Sequence, residues 1–533
     1  MCFALTICLS IRQKLCKKVY LIRLKLQNNN QKIIKRTLSV FQITHNPIEA
    51  SNLTNTVVAL TFSKAKLASV AAKQVKDISK DVEKAVKNSR FTGGLKQTHH
   101  VDALGHKTMD GLLLVGMGDE KEATEDTFRT AGIAAGKALA AKGVAEATFI
   151  AEGTKSVDEK TAAVAFAECV ALAIYRFDDY RTNLTANDKG KFKKLTVLAD
   201  DKSVTKEFTQ LKGLMEGSEL ARDLVNHPAN VCTPSYMAET AKKLKKIGLD
   251  VKIMGKKELK KLGMDMMLSV AEGAAEEAKL IVLKWNGGKK GDKYKALVGK
   301  GVTFDSGGYN IKVAMMEYMK SDMAGSAAVM GTMCALAKRK SKVNVIGVIG
   351  AVENMISATA TRPSDIVKSY KGLTVEVNNT DAKGRLVLGD ALAWVIDKEK
   401  PSEVVDIATL TGAISIALGN RYAGLFSNND TLASKLLAAG ESVGEPVWRM
   451  PTDKAYHAML KSEYADLSNI GGRTAGSCTA AAFLEEFVGE TPWAHVDIAG
   501  VAMAGKVFGA SNSNGLDGAN GFGVRLFVRY LEN

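Results

Sequence analysis

Short continuous apolar runs alternate along the chain with longer stretches of helical periodicity. In the first part, between about residues 54 and 215, apolar runs such as 111–115 (GLLLV) and 147–150 (ATFI) are separated by helical segments, one of them rich in alanine. Strands that alternate with helices in this way are typical of an α/β domain. The pattern therefore predicts one α/β domain in this part of the chain.

A turn-rich segment interrupts this pattern near the middle of the chain. Helical periodicity over residues 208–225 leads into NHPANVCTP (226–234), where two prolines end the helix. A chain of 533 residues is long enough for two domains with separate cores. We therefore predict a smaller N-terminal α/β domain over residues 49–220 and a larger C-terminal α/β domain over residues 221–533.

Beyond this segment the apolar runs are nearly continuous. They lie at residues 279–283, 296–298, 343–349, 375–377, 404–407 and 496–498. Fully buried parallel strands have this composition. Several of the runs are followed at once by Gly, Asp, Asn or Thr, and open α/β sheets bind ligands at the carboxyl ends of their strands. The C-terminal domain is therefore predicted to contain a mostly parallel central sheet that bears the functional site.

Composition and charge narrow the class of protein. The chain is 46% hydrophobic and 24% charged, as in globular proteins, and no apolar run is long enough to span a bilayer. The net charge is +16, of which residues 1–48 contribute +9. The remaining +7 comes without a motif that combines basic and aromatic residues, so we expect no nucleic-acid partner.

Residues 1–48 have the composition of a targeting peptide. They contain nine Lys or Arg and no Asp or Glu, mixed with Leu, Ile, Val and Tyr, as in mitochondrial transit peptides. The apolar residues 1–9 precede the charges, whereas a secretory signal has its charges first. We predict a mitochondrial transit peptide over residues 1–48. The alternatives are a basic tail on a cytoplasmic protein and a membrane anchor.

Three aspartates end strands or loops of the predicted C-terminal domain. Asp305 lies in LVGKGVTFDSGGYNIK (297–312), Asp322 in MKSDMAG (319–325), and Asp381 in VEVNNTDAKGRLVLGDAL (375–392). Clustered carboxylates with nearby glycines are what one or two hard divalent cations require. Each aspartate taken singly also fits an ordinary turn or helix cap.

Together these segments resemble the leucine (cytosol) aminopeptidase family from about residue 226 to residue 531. The flanking segments that match are NHPANVCTP, ATLTGA (408–413), GGRTAGSCTAAAFLEEF (471–487), PWAHVDIAG (492–500) and GFGVRL (521–526). The resemblance implies a metallopeptidase that removes N-terminal amino acids from peptides. It also implies two divalent metals (manganese or zinc), a bicarbonate near an arginine, and a homohexamer.

The resemblance carries roles to individual positions. Metal ligands would be Lys300, Asp305, Asp322 and Asp381. Lys312 would polarise the scissile carbonyl, and Arg385 would hold the bicarbonate. The residues that would contact the peptide substrate are Met319, Thr409, Leu410, Gly412, Ala499 and Ala502.

One position departs from the family in a way that affects the chemistry. The family loop reads NTDAEGRL, and this chain has NTDAKGRL, so Lys383 replaces a glutamate ligand of both metals. A protonated lysine has no lone pair for a metal, and it repels divalent cations. We expect a catalytically impaired structural or binding protein, in which the ammonium of Lys383, held by Asp305 and Asp381, replaces the metals. An active manganese or zinc aminopeptidase and a slow one-metal enzyme are the alternatives.

Two further features of the sequence, a loop length and the acid-free leader, bear on the hypothesis that the site is impaired. The stretch between Lys312 and Asp322 is one residue shorter than the family pattern, so either Asp322 is displaced or the loop absorbs the deletion. An acid-free leader combined with an altered site is also similar to the sperm leucyl aminopeptidases of insects.

Overall fold

The structure is a computed structural model, and it describes residues 41–102, 106–185, 190–504, 516 and 518–533. Most of the predicted transit peptide, residues 1–40, lies outside the described residues. Its last part does not: residues Gln42–Asn46 form strand β1, which pairs in parallel with β7 (Lys194–Leu198). Cleavage at residue 48 would therefore remove a strand of the folded domain.

The N-terminal domain is built on one mixed sheet. Its strand order is β1-β7-β6-β2-β5-β4, and β3 pairs with β2. The remaining strands are β2 (Asn55–Phe62), β3 (Lys66–Leu67), β4 (Thr98–Asp102), β5 (Met109–Gly118) and β6 (Glu146–Ile150). The strands from β1 to β5 along this order run parallel, and β4 and β3 are antiparallel to their neighbours. The runs 111–115 and 147–150 lie in β5 and β6, as predicted.

Helices cover this sheet. They are α1 (Ser69–Gln74), α2 (Ser79–Lys87), α3 (Glu125–Lys142) and α4 (Glu159–Ala173). Helices α3 and α4 approach closely because the facing residues are small. A Cβ atom at Gly132 would lie 2.4 Å from the backbone oxygen of Phe166, so only glycine permits this contact.

A long helix, α5 (Val204–Asn226), connects the two domains. It runs continuously across residue 220, where the sequence pattern suggested a boundary, and it packs on helices of both domains. The hydrophobic core is continuous along it, from the N-terminal sheet into one face of the C-terminal sheet. The next helix, α6 (Pro234–Lys243), begins where the Thr233 hydroxyl accepts a hydrogen bond from the backbone N–H of Tyr236.

The C-terminal domain contains an eight-stranded sheet of order β16-β15-β18-β14-β10-β11-β9-β8. The strands are β8 (Asp250–Met254), β9 (Lys279–Asn286), β10 (Lys295–Asp305), β11 (Asn344–Asn354), β14 (Glu403–Ala408), β15 (Ala423–Ser427), β16 (Val447–Arg449) and β18 (Trp493–Asp497). The four central strands β18, β14, β10 and β11 are parallel. This confirms the predicted α/β class with a parallel centre.

Two of the predicted parallel strands are different in the structure. The run 279–283 belongs to β9, which is antiparallel to both β11 and β8. The run 375–377 belongs to β13 (Thr374–Val377), which lies in a small separate sheet with β12 (Asp365–Lys368) and β17 (Leu467–Ser468). Both strands are largely buried, so their apolar composition resembles that of a central parallel strand.

Helices cover both faces of the central sheet. They are α7 (Lys256–Leu262), α8 (Asp265–Ala271), α9 (Ala324–Arg339), α10 (Gly384–Glu399), α11 (Gly412–Leu418), α12 (Asp430–Val443), α13 (Lys454–Ala458), α14 (Gly476–Glu485) and α15 (Val524–Glu532). Successive residues of the central strands enter separate hydrophobic clusters, one containing α9 and the other containing α10. A short hairpin, β19 (Met503–Ala504) with β20 (Gly518–Ala519), completes the strands of the described part.

None of the helices in the described ranges is long and apolar enough to cross a membrane.

Candidate active site

The predicted site residues converge at the carboxyl ends of the central strands. Asp305 is the last residue of β10, and Asp322 precedes α9. Asp381 and Lys383 lie in the loop between β13 and α10, with Lys383 at the N-terminus of that helix. The structure therefore brings together residues that are up to 83 positions apart, from Lys300 to Lys383.

Asp305 is held in one orientation by its neighbours. Its Oδ1 accepts hydrogen bonds from the backbone N–H of Gly307 at 3.0 Å and from Asn354 Nδ2 at 2.8 Å. Asn354 ends β11 and is the direct partner of Asp305 in the parallel register of β10 and β11. The second oxygen, Oδ2, is therefore free to face the cluster.

Lys383 lies where the three carboxylates meet. Its Nζ donates a short hydrogen bond to Asp305 Oδ2 and lies 3.5 Å from Asp381 Oδ1. The same nitrogen is 3.1 Å from Asp322 Oδ2. This last contact is an ion pair without hydrogen-bond alignment, since Asp322 Oδ2 has no hydrogen-bond partner among the described residues. Only 5% of Lys383 is exposed, so the ammonium is separated from bulk water.

Two more lysines complete the cluster. Lys300 Nζ lies 2.6 Å from Asp322 Oδ1 and also donates to the backbone oxygen of Thr409. Lys312 Nζ bridges Asp305 Oδ2 at 2.9 Å and Asp381 Oδ1 at 2.6 Å. The three carboxylates therefore face three ammonium groups, and the cluster is electrically balanced by its own side chains.

The protonation states follow from these contacts. Burial disfavours the ammonium of Lys383, but the attraction of Asp305, Asp322 and Asp381 outweighs burial and raises the pKa of this lysine. Burial likewise opposes ionisation of Asp305, but Lys383 and Lys312 hold the pKa of this carboxyl well below its usual range. Burial lowers the pKa of Lys300 to about 8, although Asp322 opposes the shift.

Gly384 is required by the position of Lys300. A Cβ atom at residue 384 would lie 2.7 Å from Lys300 Cε and 2.9 Å from its Nζ. Any side chain there would displace the lysine from Asp322. The close packing of helix α10 on the lysine thus depends on glycine after Lys383.

Arg385 lies beside the cluster without an acidic partner in contact. Its Nη1 donates to the backbone oxygen of Asn469 at 2.8 Å, and its buried Nε has no hydrogen-bond partner among the described residues. Burial lowers the pKa of Arg385 to about 10, and the more distant Asp497 opposes this shift. A buried guanidinium with an unused N–H can bind an anion by donating a hydrogen bond to it.

A cavity of about 380 Å³ opens next to these groups. Its lining includes Lys312, Asp322, Asp381, Lys383 and Arg385. The positions to which the resemblance assigned substrate contact all line the same cavity, and they are Met319, Thr409, Leu410, Gly412, Ala499 and Ala502. The side chains of Lys300 and Asp305 do not line the cavity. They contact residues that do, namely Asp322, Lys312 and Lys383.

The stretch between Lys312 and Asp322 contains an unusual backbone conformation. Met315 has a φ of 59°, in the left-handed region, and a short 3-10 helix, Met316–Ser321, follows it. This compact loop still brings Asp322 to within 2.6 Å of Lys300.

Sequence reasoning missed several residues that position the site. Besides Asn354 they include Asn469, whose side chain accepts from the backbone N–H groups of Asn378 and Asn379, and Asp497, which accepts from Leu410 N and Thr411 Oγ1. Asn354 and Asp497 each end a strand of the central sheet, and that placement was the available signal.

The fold and site define a two-domain α/β protein with charged residues at the carboxyl ends of parallel strands. Comparison with known proteins narrows this class. Residues 57–184 match the N-terminal domain of the cytosol aminopeptidase family, and residues 219–528 match its catalytic domain. A probable cytosol aminopeptidase of Chelativorans sp. (strain BNC1) is 46% identical over 83% of this chain and 89% of its own. Another, from Agrobacterium fabrum, is 45% identical over 90% of this chain and 96% of its own.

Solved structures agree with these matches. The bottromycin maturation enzyme BotP in complex with Mn is 30% identical to this chain, with a TM-score of 0.77. The match covers 90% of this chain and 98% of the BotP chain. A second structure of BotP has a TM-score of 0.78. This chain belongs to the cytosol aminopeptidase family, a family of metallopeptidases.

The carboxylates that would have to hold two divalent metals have lysine side chains among them. No group of three or more His, Cys, Asp or Glu in the described part of the chain is arranged to hold a metal ion. Instead, each carboxylate of the cluster is within ion-pair distance of a lysine, and Lys383 lies between all three. The donor set near Arg385, by contrast, fits a bicarbonate ion, because its unpaired Nε can donate to an anion.

Proposed function

We propose that this chain has little or no peptidase activity and acts as a structural or binding protein. The observation that carries the proposal is that Lys383 Nζ approaches the carboxylates of Asp305, Asp322 and Asp381 together. Two divalent ions would need these oxygens as ligands. An ammonium among them replaces the positive charge that the metals supply in relatives, and it offers no lone pair.

Charge balance supports the same proposal. Bringing two divalent ions into a cluster that three lysines already neutralise would add four positive charges to a largely buried site. Unit charges about 4 Å apart interact by about 4 kcal/mol at an effective dielectric of 20. Loss of a proton from Lys383 would relieve this repulsion, but the three aspartates raise its pKa and oppose that loss.

A binding role is supported by what the site retains. The cavity beside the cluster is open to a small ligand, and Arg385, Lys312 and Asp381 present both signs of charge along its wall. Such a wall suits a peptide N-terminus or a free amino acid, which carries both charges. Binding without turnover would follow from a retained cavity and a displaced metal pair.

Metal content and hydrolysis of a leucyl amide test the proposal directly. Purified wild-type protein dialysed against manganese or zinc should contain fewer than two metals per chain and show negligible turnover. The proposal is wrong if it contains two and turns over at a rate typical of enzymes, on the order of 10 per second.

The variant Lys383→Glu sharpens this test, with Lys383→Gln as its matched control. Both remove the ammonium and have side chains of equal length, but only glutamate supplies a carboxylate ligand. We expect more bound metal in Lys383→Glu than in Lys383→Gln, and some leucyl hydrolysis in Lys383→Glu alone. Equal metal content in the two variants would show that the charge at position 383 does not control the site.

The second candidate is an active manganese or zinc aminopeptidase. Identities of 45% and above to probable cytosol aminopeptidases favour it, as does the manganese in the BotP structure. Arg385 and Lys312 also remain in place. The wild-type metal and turnover measurements decide between the two candidates. A single metal with slow turnover would indicate the intermediate case.

We further propose that the chain assembles as a homohexamer and that residues before Gln42 direct it to the mitochondrion. Family membership supports the first proposal, and the acid-free composition of residues 1–40 supports the second. Solution mass tests assembly, and a monomer near 57.0 kDa would reject the hexamer. N-terminal sequencing of native protein tests import, and an intact Met1 would favour a cytoplasmic location.

A further inference from the structure

One short segment of the folded chain has a high density of positive charge. Residues 242–261 contain nine lysines and two acidic residues, a net charge of +7. The whole chain carries +16, of which residues 1–48 account for +9, so residues 49–533 also carry +7. The rest of the folded chain is therefore neutral overall, and this segment forms a basic surface, defined here by the nine lysines of residues 242–261.

The basic surface lies at one edge of the C-terminal sheet. It comprises the end of α6, the 3-10 helix Leu244–Ile247, the edge strand β8 and helix α7, which pack on one another. All nine lysines are exposed: Lys242, Lys243, Lys245, Lys246, Lys252, Lys256, Lys257, Lys260 and Lys261. Among the described residues, ion pairs join only Lys242 to Glu239 and Lys256 to Glu272. Most of this charge is therefore available to an external partner.

The composition of the surface selects the kind of partner. Residues 242–261 include no arginine and no aromatic residue, whereas nucleic-acid sites use arginine forks and stacked aromatic rings. Large hydrophobic residues that are exposed in the described structure all lie elsewhere, so the surface lacks the apolar centre of a stable protein interface. Clustered lysines without either feature suit a diffuse layer of negative charge, such as the headgroups of anionic lipids.

Protection of the sheet edge explains only a small part of this pattern. Charged residues on an edge strand prevent pairing with other chains. Of the nine lysines, however, only Lys252 lies on β8, and the others lie on helices or turns. We propose that the basic surface binds peripherally to bilayers that contain anionic phospholipid.

Vesicle co-sedimentation of the full-length protein tests this inference. The vesicles are phosphatidylcholine alone, or phosphatidylcholine with an equal amount of phosphatidylserine. The test variant replaces Lys246, Lys257, Lys260 and Lys261 with Gln. The matched control replaces Lys73, Lys80, Lys84 and Lys87 with Gln, which are exposed lysines of the N-terminal domain. Both variants change the charge equally and retain residues 1–48, so a contribution from that basic segment is common to both.

We expect wild-type and control proteins to bind the phosphatidylserine vesicles, and binding to fall as salt is raised. The test variant should bind at least tenfold more weakly, since each lysine near an anionic bilayer contributes about fivefold in affinity. Equal binding by the two variants, or no wild-type binding at low salt, would overturn the proposal. So would tighter binding to duplex DNA than to vesicles at equal phosphate concentration, which would indicate a nucleic-acid surface.

Discussion

Lysine occurs in this protein in two contrasting settings. Lys300 and Lys383 are buried, and together with the partly buried Lys312 they are paired with three aspartates at distances of about 3 Å. The lysines of residues 242–261 are exposed, and most have no acidic partner among the described residues. The side chain is the same, and the surroundings decide what it does.

The difference lies in what each lysine must neutralise. A buried ammonium or carboxylate without a partner costs several kcal/mol, so the interior cluster requires matched numbers of each sign. Exposed lysines are hydrated, and each contributes little to folding. Instead, the charges of neighbouring exposed lysines add to one electrostatic potential, which acts on molecules outside the protein. Substitutions should therefore have large effects on stability in the first setting and small ones in the second.

The largest effect is expected for Lys383→Ala. Removing this ammonium leaves three carboxylates with two lysines, and breaking a buried pair costs about 3–5 kcal/mol. Urea unfolding in the presence of a chelator measures the free energy of unfolding. Added manganese should restore part of the loss, because a cation would then occupy the vacated position. A cost below about 1 kcal/mol would show that the cluster does not depend on Lys383.

Asp322→Asn should have the next largest effect. It removes the charge that faces both Lys300 and Lys383, and a hydrogen bond to a charged group contributes about 1.5–3 kcal/mol. Asp381→Asn is the comparison variant, because the Asp381 side chain is 32% exposed and that of Asp322 only 6%. Water can partly replace the lost contacts of Asp381. If the two variants are equally destabilised, burial does not set the cost within the cluster.

The pH dependence of stability should distinguish wild type from Lys383→Ala. Lys383 and Lys312, against the opposing effect of burial, lower the pKa of Asp305 from its ordinary value of 3.8. Its contacts with the lysines are thus fully present above about pH 4 and are lost as the pH falls further. The stability difference between the two proteins should shrink by about 1 kcal/mol or more between pH 7 and pH 3. A constant difference would contradict this assignment.

The smallest effect is expected for Lys257→Gln on the basic surface. Lys257 is exposed, and no ion pair or hydrogen bond of its side chain is found among the described residues, so stability should change by no more than about 0.5 kcal/mol. Thermal unfolding of the variant beside Lys383→Ala makes the contrast direct. A loss comparable with that of the buried lysine would mean that the surface is covered in the native assembly.

Parallel strands buried on both faces were predictable from the sequence. The runs 296–298 and 404–407 lie in the central parallel strands, and the runs 343–349 and 496–498 each lie in one apart from a single end residue. Burial on both faces leaves few polar positions in such strands. The run 279–283 was assigned the wrong direction for the same reason. Its strand is equally buried, and composition does not distinguish parallel from antiparallel pairing.

Sequence motifs predicted the charged residues of the site, but they did not predict the asparagine side chains that hold those residues in place. Asn354 and Asn469 act through hydrogen bonds that depend on tertiary contact between distant segments. The strand β1 was also missed, because residues 41–46 lack acidic residues and so resemble the basic segment before them. Its identity as a strand comes from pairing with β7, about 150 residues later in the chain.

The position of Lys383 among the three aspartates has a consequence for how this protein can evolve. Codons for lysine and glutamate differ at a single base, so one point mutation interconverts the two residues at this position. The aspartates that surround it, together with Lys300, Lys312 and Arg385, remain in the arrangement described above. The lineage that carries this chain is therefore a single nucleotide change from having a carboxylate at residue 383. Under the function proposed above, selection on that one codon would separate a peptidase from a binding protein.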